Sequence, residues 1–203
     1  MKSFCPDSQA KCSPGDGWVL YGLAGNPPHA GHWSCVRQLL DLRRRVIVAP
    51  SYAHAFGKAM APFETRLRWL EAARVDFGLD SGRVIVWSAE ARVAAGRPEG
   101  ASVYSIEMLR LAEYEFGGSV ALAVGPDNAD LAVFSRFREH EAIARDHGLV
   151  VLSETPGIRS TMIRQRLLDG LLGVEELSAL VGPAIAPSVM RYFAKPAAAL
   201  KGL

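Results

Sequence analysis

The stretch Tyr21-Gly-Leu-Ala-Gly-Asn-Pro-Pro-His-Ala-Gly-His32 constrains this chain more than any other. An apolar run, Trp18 to Tyr21, leads into it, and Trp33 to Leu42 leaves it with helical spacing. The pattern predicts a strand, a Gly/Pro-rich turn, and a helix whose first turn carries two histidines around Gly31. Such a junction suits an anion. A helix N-terminus offers unpaired backbone N–H groups and a partial positive charge, and Gly22, Gly25 and Gly31 let backbone approach a ligand closely. His29 and His32, three apart, fall on one helical face. Imidazoles there can donate hydrogen bonds to a phosphate whose charge grows during reaction. The same spacing also serves metal ions, and a histidine at a helix start can be only a cap.

Downstream, Arg45 to Ala49, Arg83 to Trp87, Ser119 to Val124 and Leu149 to Leu152 are short apolar runs that read as buried strands. Between them, Pro62 to Phe77 and Val103 to Phe116 have helical periodicity, Ser51 to Ala61 reads as a loop, and Ser88 to Ser102 as a loop with room for short structure. Ser160 is placed to cap a helix from Thr161 to Leu168, and Gly182-Pro183 divides the tail into two short helices. Alternating strands and helices predict an α/β fold, a Rossmann-like doubly wound parallel sheet of about five strands with a small C-terminal helical extension. Residues 1–16, polar and without period, read as a mobile leader. Residues 17–203 read as one domain, helical from about 160. Ligands of such sheets bind beyond the carboxyl ends of the strands at the switch point, so the glycine-bearing ends at 22–25, 125 and 157 should converge.

Two further segments could line that place. Leu122-Ala-Val-Gly-Pro-Asp127 is a buried strand ending in an acid, which can accept both hydroxyls of a ribose or cap the next helix. Ile158-Arg-Ser-Thr-Met-Ile-Arg164 puts hydroxyls and N–H groups at a second helix start, with Arg164 one turn on, a cradle for a phosphate tail. A net charge of +2 over 203 residues gives no argument for nucleic acid. Charged residues interrupt every apolar run short of membrane-spanning length, and no signal-peptide core is visible, so no membrane partner is expected. Cys5, Cys12 and Cys35 are odd in number and unclustered, consistent with reduced thiols in a cytoplasm.

The segment Asn26 to His32 resembles the His-x-Gly-His signature of the nucleotidylyltransferase superfamily. With the other two segments it resembles the nicotinate/nicotinamide mononucleotide adenylyltransferases, from about Trp18 to Leu168. The family's usual turn, Gly-Gly-Thr/Ser-Phe-Asp-Pro, here reads Gly-Leu-Ala-Gly-Asn-Pro. Its Ile-Ser-Ser-Thr-x-Ile-Arg motif has Arg159 for the first serine. The resemblance implies transfer of the AMP moiety of ATP to nicotinate or nicotinamide mononucleotide, with release of pyrophosphate, in NAD biosynthesis. It implies catalytic roles for His29, His32 and Arg164, and ATP contacts from Gly22, Leu23, Ala24, Gly31, Gly125, Asp127, Ile158, Ser160 and Thr161. Lys58 and Arg159 would add phosphate contacts. Asn26, His54, Tyr104, Ser105, Arg136 and Phe137 would hold the mononucleotide, Phe137 stacking on the pyridine ring and Arg136 or Arg138 reading a carboxylate. Mg²⁺ would arrive on ATP rather than in a protein cage. A sister transferase using phosphopantetheine or FMN, a non-catalytic adenine-nucleotide sensor, and a metal-binding domain are the alternatives. The choice of pyridine nucleotide and the oligomeric state, a homodimer included, stay open.

Overall fold

The computed structural model describes residues 17–42, 44–53, 59–79, 82–98, 100–153 and 156–194. The five apolar runs are strands β1 (Trp18–Leu23), β2 (Arg45–Pro50), β3 (Val84–Val86), β4 (Val120–Val124) and β5 (Leu149–Val151). They form one parallel sheet in the order β3-β2-β1-β4-β5. β1 is central, with Leu20 facing Ile47 of β2 on one side and Leu122 of β4 on the other. Strand side chains alternate between faces, so one strand feeds two cores. Val19, Tyr21 and Leu23 enter the first core, and Trp18 and Leu20 the second. That double burial is why the strands are continuous apolar runs rather than alternating ones.

Helices cover both faces. Packed into the first core are α1 (Ala30–Asp41) through Trp33, Val36 and Leu39, and α2 (Phe63–Asp76) through Trp69, Leu70 and Ala73. The second core receives Ala89 of α3 (Ala89–Ala94) and Ile106, Leu109 and Ala112 of α4 (Ser105–Phe116). After β4 come α5 (Pro126–Ala129), α6 (Leu131–Phe134), α7 (His140–Ala142) and a π-helical turn, Ile143–His147. The tail is α8 (Ser160–Leu168), α9 (Val174–Val181) and α10 (Ala186–Phe193). Ile163, Leu177, Val181 and Val189 carry these three into the first core. The Trp69 indole N–H donates to the Ser188 hydroxyl at 3.0 Å, and the Asp76 carboxylate accepts the Ala184 N–H at 2.8 Å. The helical tail is thereby bonded to α2. Among the described residues, no helix is long and apolar enough to cross a membrane.

Three local expectations change. The segment 88–102, read chiefly as a loop, contains α3, an alanine-rich turn of helix that buries Ala89 and Ala94. His29 lies outside α1 as its N-cap, extended at φ −151° and ψ 168°. Ser160 is the first residue of α8 rather than its cap, which is Arg159. Its hydroxyl reaches a carbonyl 133 positions earlier instead.

Candidate active site

The chain goes β1, β2, β3 outward in one direction and then returns to place β4 and β5 on the other side of β1. The switch point therefore lies between β1 and β4, where adjacent crossovers leave on opposite faces and open a crevice. A cleft of about 380 Å³ is found there. It is lined by the 22–26 turn, the start of α1, Ala59 and Met60, Gly125 and Asn128, Leu152 and Ser153, and the segment from Ile158 into α8.

At one position the turn disfavours any side chain. Gly25 has φ +58°, and a Cβ there would lie 3.3 Å from Leu70 Cδ1. Backbone handedness and packing thus both favour glycine where the resembled pattern has an aromatic. Asn26 is buried, and its side-chain oxygen accepts the Ala61 N–H at 3.0 Å. Its carbonyl accepts from Arg164 Nη1 at 2.6 Å, and the Pro27 carbonyl accepts the Ser160 hydroxyl at 2.9 Å. The N-terminus of α8 is thus clasped to the turn that precedes α1.

The two histidines meet at that clasp, with ring centroids 3.7 Å apart. His32 Nδ1 accepts the backbone N–H of His29 at 3.1 Å. An acceptor Nδ1 puts the proton of a neutral ring on Nε2. His29 Nδ1 is buried with no hydrogen-bond partner among the described residues. A Cβ at Gly31 would come within 3.0 Å of that atom, which accounts for the glycine between the histidines. Burial lowers His29 to about 4. Burial first, then the neighbouring His29, hold His32 well below its ordinary value. Both rings are neutral at pH 7. They are donors beside a helix N-terminus, a set suited to anionic oxygen.

A stability profile follows from His29. Its folded value lies below the ordinary 6.5, so between about 6.5 and 4 the unfolded chain binds a proton that the folded chain does not. The contribution is whole above 6.5 and is lost as pH falls toward 4. Glu90, raised to about 7 chiefly by burial, works in the opposite direction between 4.5 and 7 and partly masks it. Comparing wild type with His29→Asn by denaturant unfolding at pH 7 and pH 4 isolates the histidine. Wild type should lose on the order of 3 kcal/mol more than the variant across that interval. Parallel profiles would contradict the assignment.

Arg164 is partly buried, and burial lowers its pKa without discharging a guanidinium at neutral pH. Arg159 and Thr161 are exposed and Ile158 and Ser160 partly buried, all four lining the cleft. Gly22, Leu23, Ala24, Gly31 and Gly125 line it as well. Asp127 does not. It is exposed in the first turn of α5, while its neighbour Asn128 takes the lining position. Tyr104, Ser105, Arg136 and Phe137 also lie outside the cleft lining. Tyr104 is the N-cap of α4, with the Arg138 guanidinium 4.8 Å from its ring centre. Phe137 packs against Phe134 at the edge of the second core, and Arg136 is exposed. His54 and Lys58 lie outside the described residues.

Sequence reasoning missed Arg66, 1% exposed on α2, whose guanidinium reaches three main-chain carbonyls around the cleft. Its signal was its place in the helical rhythm with Leu70 and Ala73. Cys35, Met60 and Ser153 also line the cleft and had no local signature. Among the described residues, no group of three His, Cys, Asp or Glu is placed to hold a metal ion. The polar part of the lining is imidazole, guanidinium, hydroxyl and amide, and among the described residues it carries no carboxylate.

No family model matches the chain. It is 34% identical over 170 residues to a protein of Anaeromyxobacter dehalogenans strain 2CP-1 named "Probable nicotinate-nucleotide adenylyltransferase", covering 75% of this chain and 84% of that one. A relative of the same name from Anaeromyxobacter sp. strain K is 34% identical over equal shares. Among solved structures, one from Vibrio parahaemolyticus named "Putative Nicotinate-nucleotide Adenylyltransferase" superposes with a TM-score of 0.68 at 24% identity, over 86% of this chain and 99% of that one. The nicotinic acid mononucleotide adenylyltransferase of Plasmodium falciparum complexed with NaAD gives 0.65 at 11% identity, over 87% and 96%. These two establish likeness of fold.

Proposed function

This chain belongs to the nicotinate-nucleotide adenylyltransferase family, and on that premise we propose that it transfers the AMP moiety of ATP to nicotinate mononucleotide and releases pyrophosphate, a step of NAD biosynthesis in the cytoplasm. The observation that carries this reading is the clasp: two helix N-termini, a neutral histidine pair and an arginine meet in one cleft at the switch point of the sheet.

The mononucleotide 5′-phosphate oxygen attacks the α-phosphorus in line. The bond from that phosphorus to the bridging oxygen breaks, and pyrophosphate leaves with the electron pair. No protein nucleophile is required, since positioning and charge stabilisation suffice for such transfers. His32 Nε2–H and the His29 ring edge opposite its buried Nδ1 donate to α-phosphate oxygens as charge builds. Arg164 has one nitrogen committed to Asn26, and among the described residues no other partner takes the rest of its fork, which we assign to the β and γ phosphates. Ser160 spends its proton on Pro27, so α8 contributes backbone N–H groups and the exposed Thr161 hydroxyl rather than that of Ser160. The imidazoles, guanidinium groups and helix N-termini of the lining fit an anion, and Mg²⁺ carried by ATP would supply further charge neutralisation. Asp127, exposed beside Gly125, offers its carboxylate to ribose hydroxyls, and Tyr104 with Arg138 offers an aromatic and a cation to the pyridine side.

The test is pyrophosphate release from MgATP, with nicotinate mononucleotide and nicotinamide mononucleotide offered in parallel. Release should be seen with nicotinate mononucleotide and be slower with the nicotinamide form. Silence with both, alongside adenine-nucleotide binding, would leave a sensor. Release with phosphopantetheine or FMN alone would make it a sister transferase.

A further inference from the structure

We propose that Arg66 is a positioning residue that fixes the 24–26 turn for nucleotide before any ligand arrives. The proposal rests on the adenylyl-transfer reading of the same cleft. Arg66 touches no lining surface itself. It sits behind the turn on α2, where Nη1 donates to the Ala24 carbonyl at 2.7 Å, Nε to the Ala61 carbonyl at 2.8 Å, and Nη2 to the Tyr52 carbonyl at 3.4 Å. The Ala61 N–H donates in turn to Asn26 Oδ1 at 3.0 Å. This closes a ring of bonds from Ala24 through Arg66 and Ala61 back to Asn26. Two segments bordering the cleft, at Ala24 and Ala61, and the chain after β2 at Tyr52 are held by one planar fork, a geometry that only guanidinium supplies.

The ring has a directional consequence. A trans peptide is planar, so its carbonyl and the following N–H point in opposite directions. Drawing the Ala24 carbonyl back onto Arg66 aims the Gly25 N–H away from α2, while the place of a Gly25 side chain, on the α2 side, is taken by Leu70. From the other side, Arg164 and Ser160 hold the carbonyls of Asn26 and Pro27. The turn is pinned between two arginines on different helices.

Glu90 completes the arrangement. Its Oε2 accepts the Tyr52 N–H at 2.7 Å, and it is the buried counter-charge to Arg66. Replacing Glu90 together with Arg66 avoids leaving a buried acid without its neighbouring cation.

Arg66→Lys and the double variant Arg66→Met/Glu90→Gln are compared with wild type for thermal midpoint, for KM of MgATP and of the mononucleotide, and for Kd of MgATP by calorimetry. The double variant leaves three carbonyls without their donor and should melt lower, so affinity is read well below its midpoint, where it should bind ATP about tenfold more weakly, the equivalent of one lost charged hydrogen bond. KM for ATP should rise similarly in Arg66→Lys, with KM for the mononucleotide within about twofold. Vmax falling only in step with the folded fraction, or wild-type ATP affinity in the double variant, would overturn the proposal. If wild type transfers no adenylyl group, the transferase reading fails while the calorimetric comparison still decides the role of Arg66.

Discussion

Replacing His32 with alanine should lower the turnover of pyrophosphate release by on the order of 100-fold, the usual cost of one donor aimed at developing negative charge. The geometry says which atom is lost. His32 Nδ1 is already occupied by the His29 N–H, so the catalytic contribution resides in Nε2–H. Neutrality matters here. A protonated ring would hold the ground-state triphosphate nearly as tightly as the transition state, and uniform binding does not raise turnover. Burial keeps both rings neutral in the free protein, so their hydrogen bonds strengthen as charge develops on the α-phosphate oxygens. The same substitution also removes the bond to the N-cap backbone, for a stability loss of about 1 kcal/mol. His32→Asn restores an N–H donor of shorter reach and should recover part of the rate. Steady-state kinetics beside thermal melting separates the two effects. Turnover in His32→Ala within threefold of wild type would remove the histidine from the chemistry.

The sheet was legible because burial on both faces leaves its strands no polar alternative, and the switch point follows from strand order alone. The 29–32 signature was legible because a glycine between two histidines at a strand–helix junction has few structural reasons to exist. The contacts that assemble the cleft were not legible, and the reason is distance along the chain. Ser160 bonds Pro27, Arg164 bonds Asn26, and Arg66 bonds Ala24 across 133, 138 and 42 positions. Local spacing carries none of that. Arg66 was passed over because a charged residue in a helix is ordinarily solvated, although its step to Leu70 and Ala73 placed it on the buried stripe. Short structure within 88–102 was allowed for, but α3 was not placed, because six residues rich in alanine bury little area of their own and the second core decides their conformation. The Tyr104 and Phe137 segments were found in order, but the side chains' outlook depends on the packing of α4 and α6, which periodicity does not give.

Arg164→Ala should cost more than His32→Ala in kcat/KM, roughly 100- to 1,000-fold, because one side chain performs two tasks. Its Nη1 satisfies the Asn26 carbonyl, a main-chain acceptor on a buried residue that would be left unpaired at about 1–3 kcal/mol. Its remaining nitrogens form the cation at the mouth of α8, facing the place assigned to the leaving pyrophosphate. Loss of the first task loosens the turn and raises KM for ATP. Loss of the second weakens stabilisation of the leaving group and lowers kcat. Arg164→Lys divides them. A lysine keeps the charge but presents a single point donor that cannot serve carbonyl and phosphate in the same plane. It should therefore recover more of kcat than of KM. A double-mutant cycle with His32→Ala gives the stricter reading. The two residues lie on different helices but meet through the 26–29 backbone, so if they act as one unit the double variant should lose less than the product of the single losses. Strict multiplicativity would mean that the histidine and the arginine stabilise charge independently, with the clasp at Asn26 serving only to hold α8 in place. An Arg164→Ala variant within tenfold of wild type would take the arginine out of the reaction altogether.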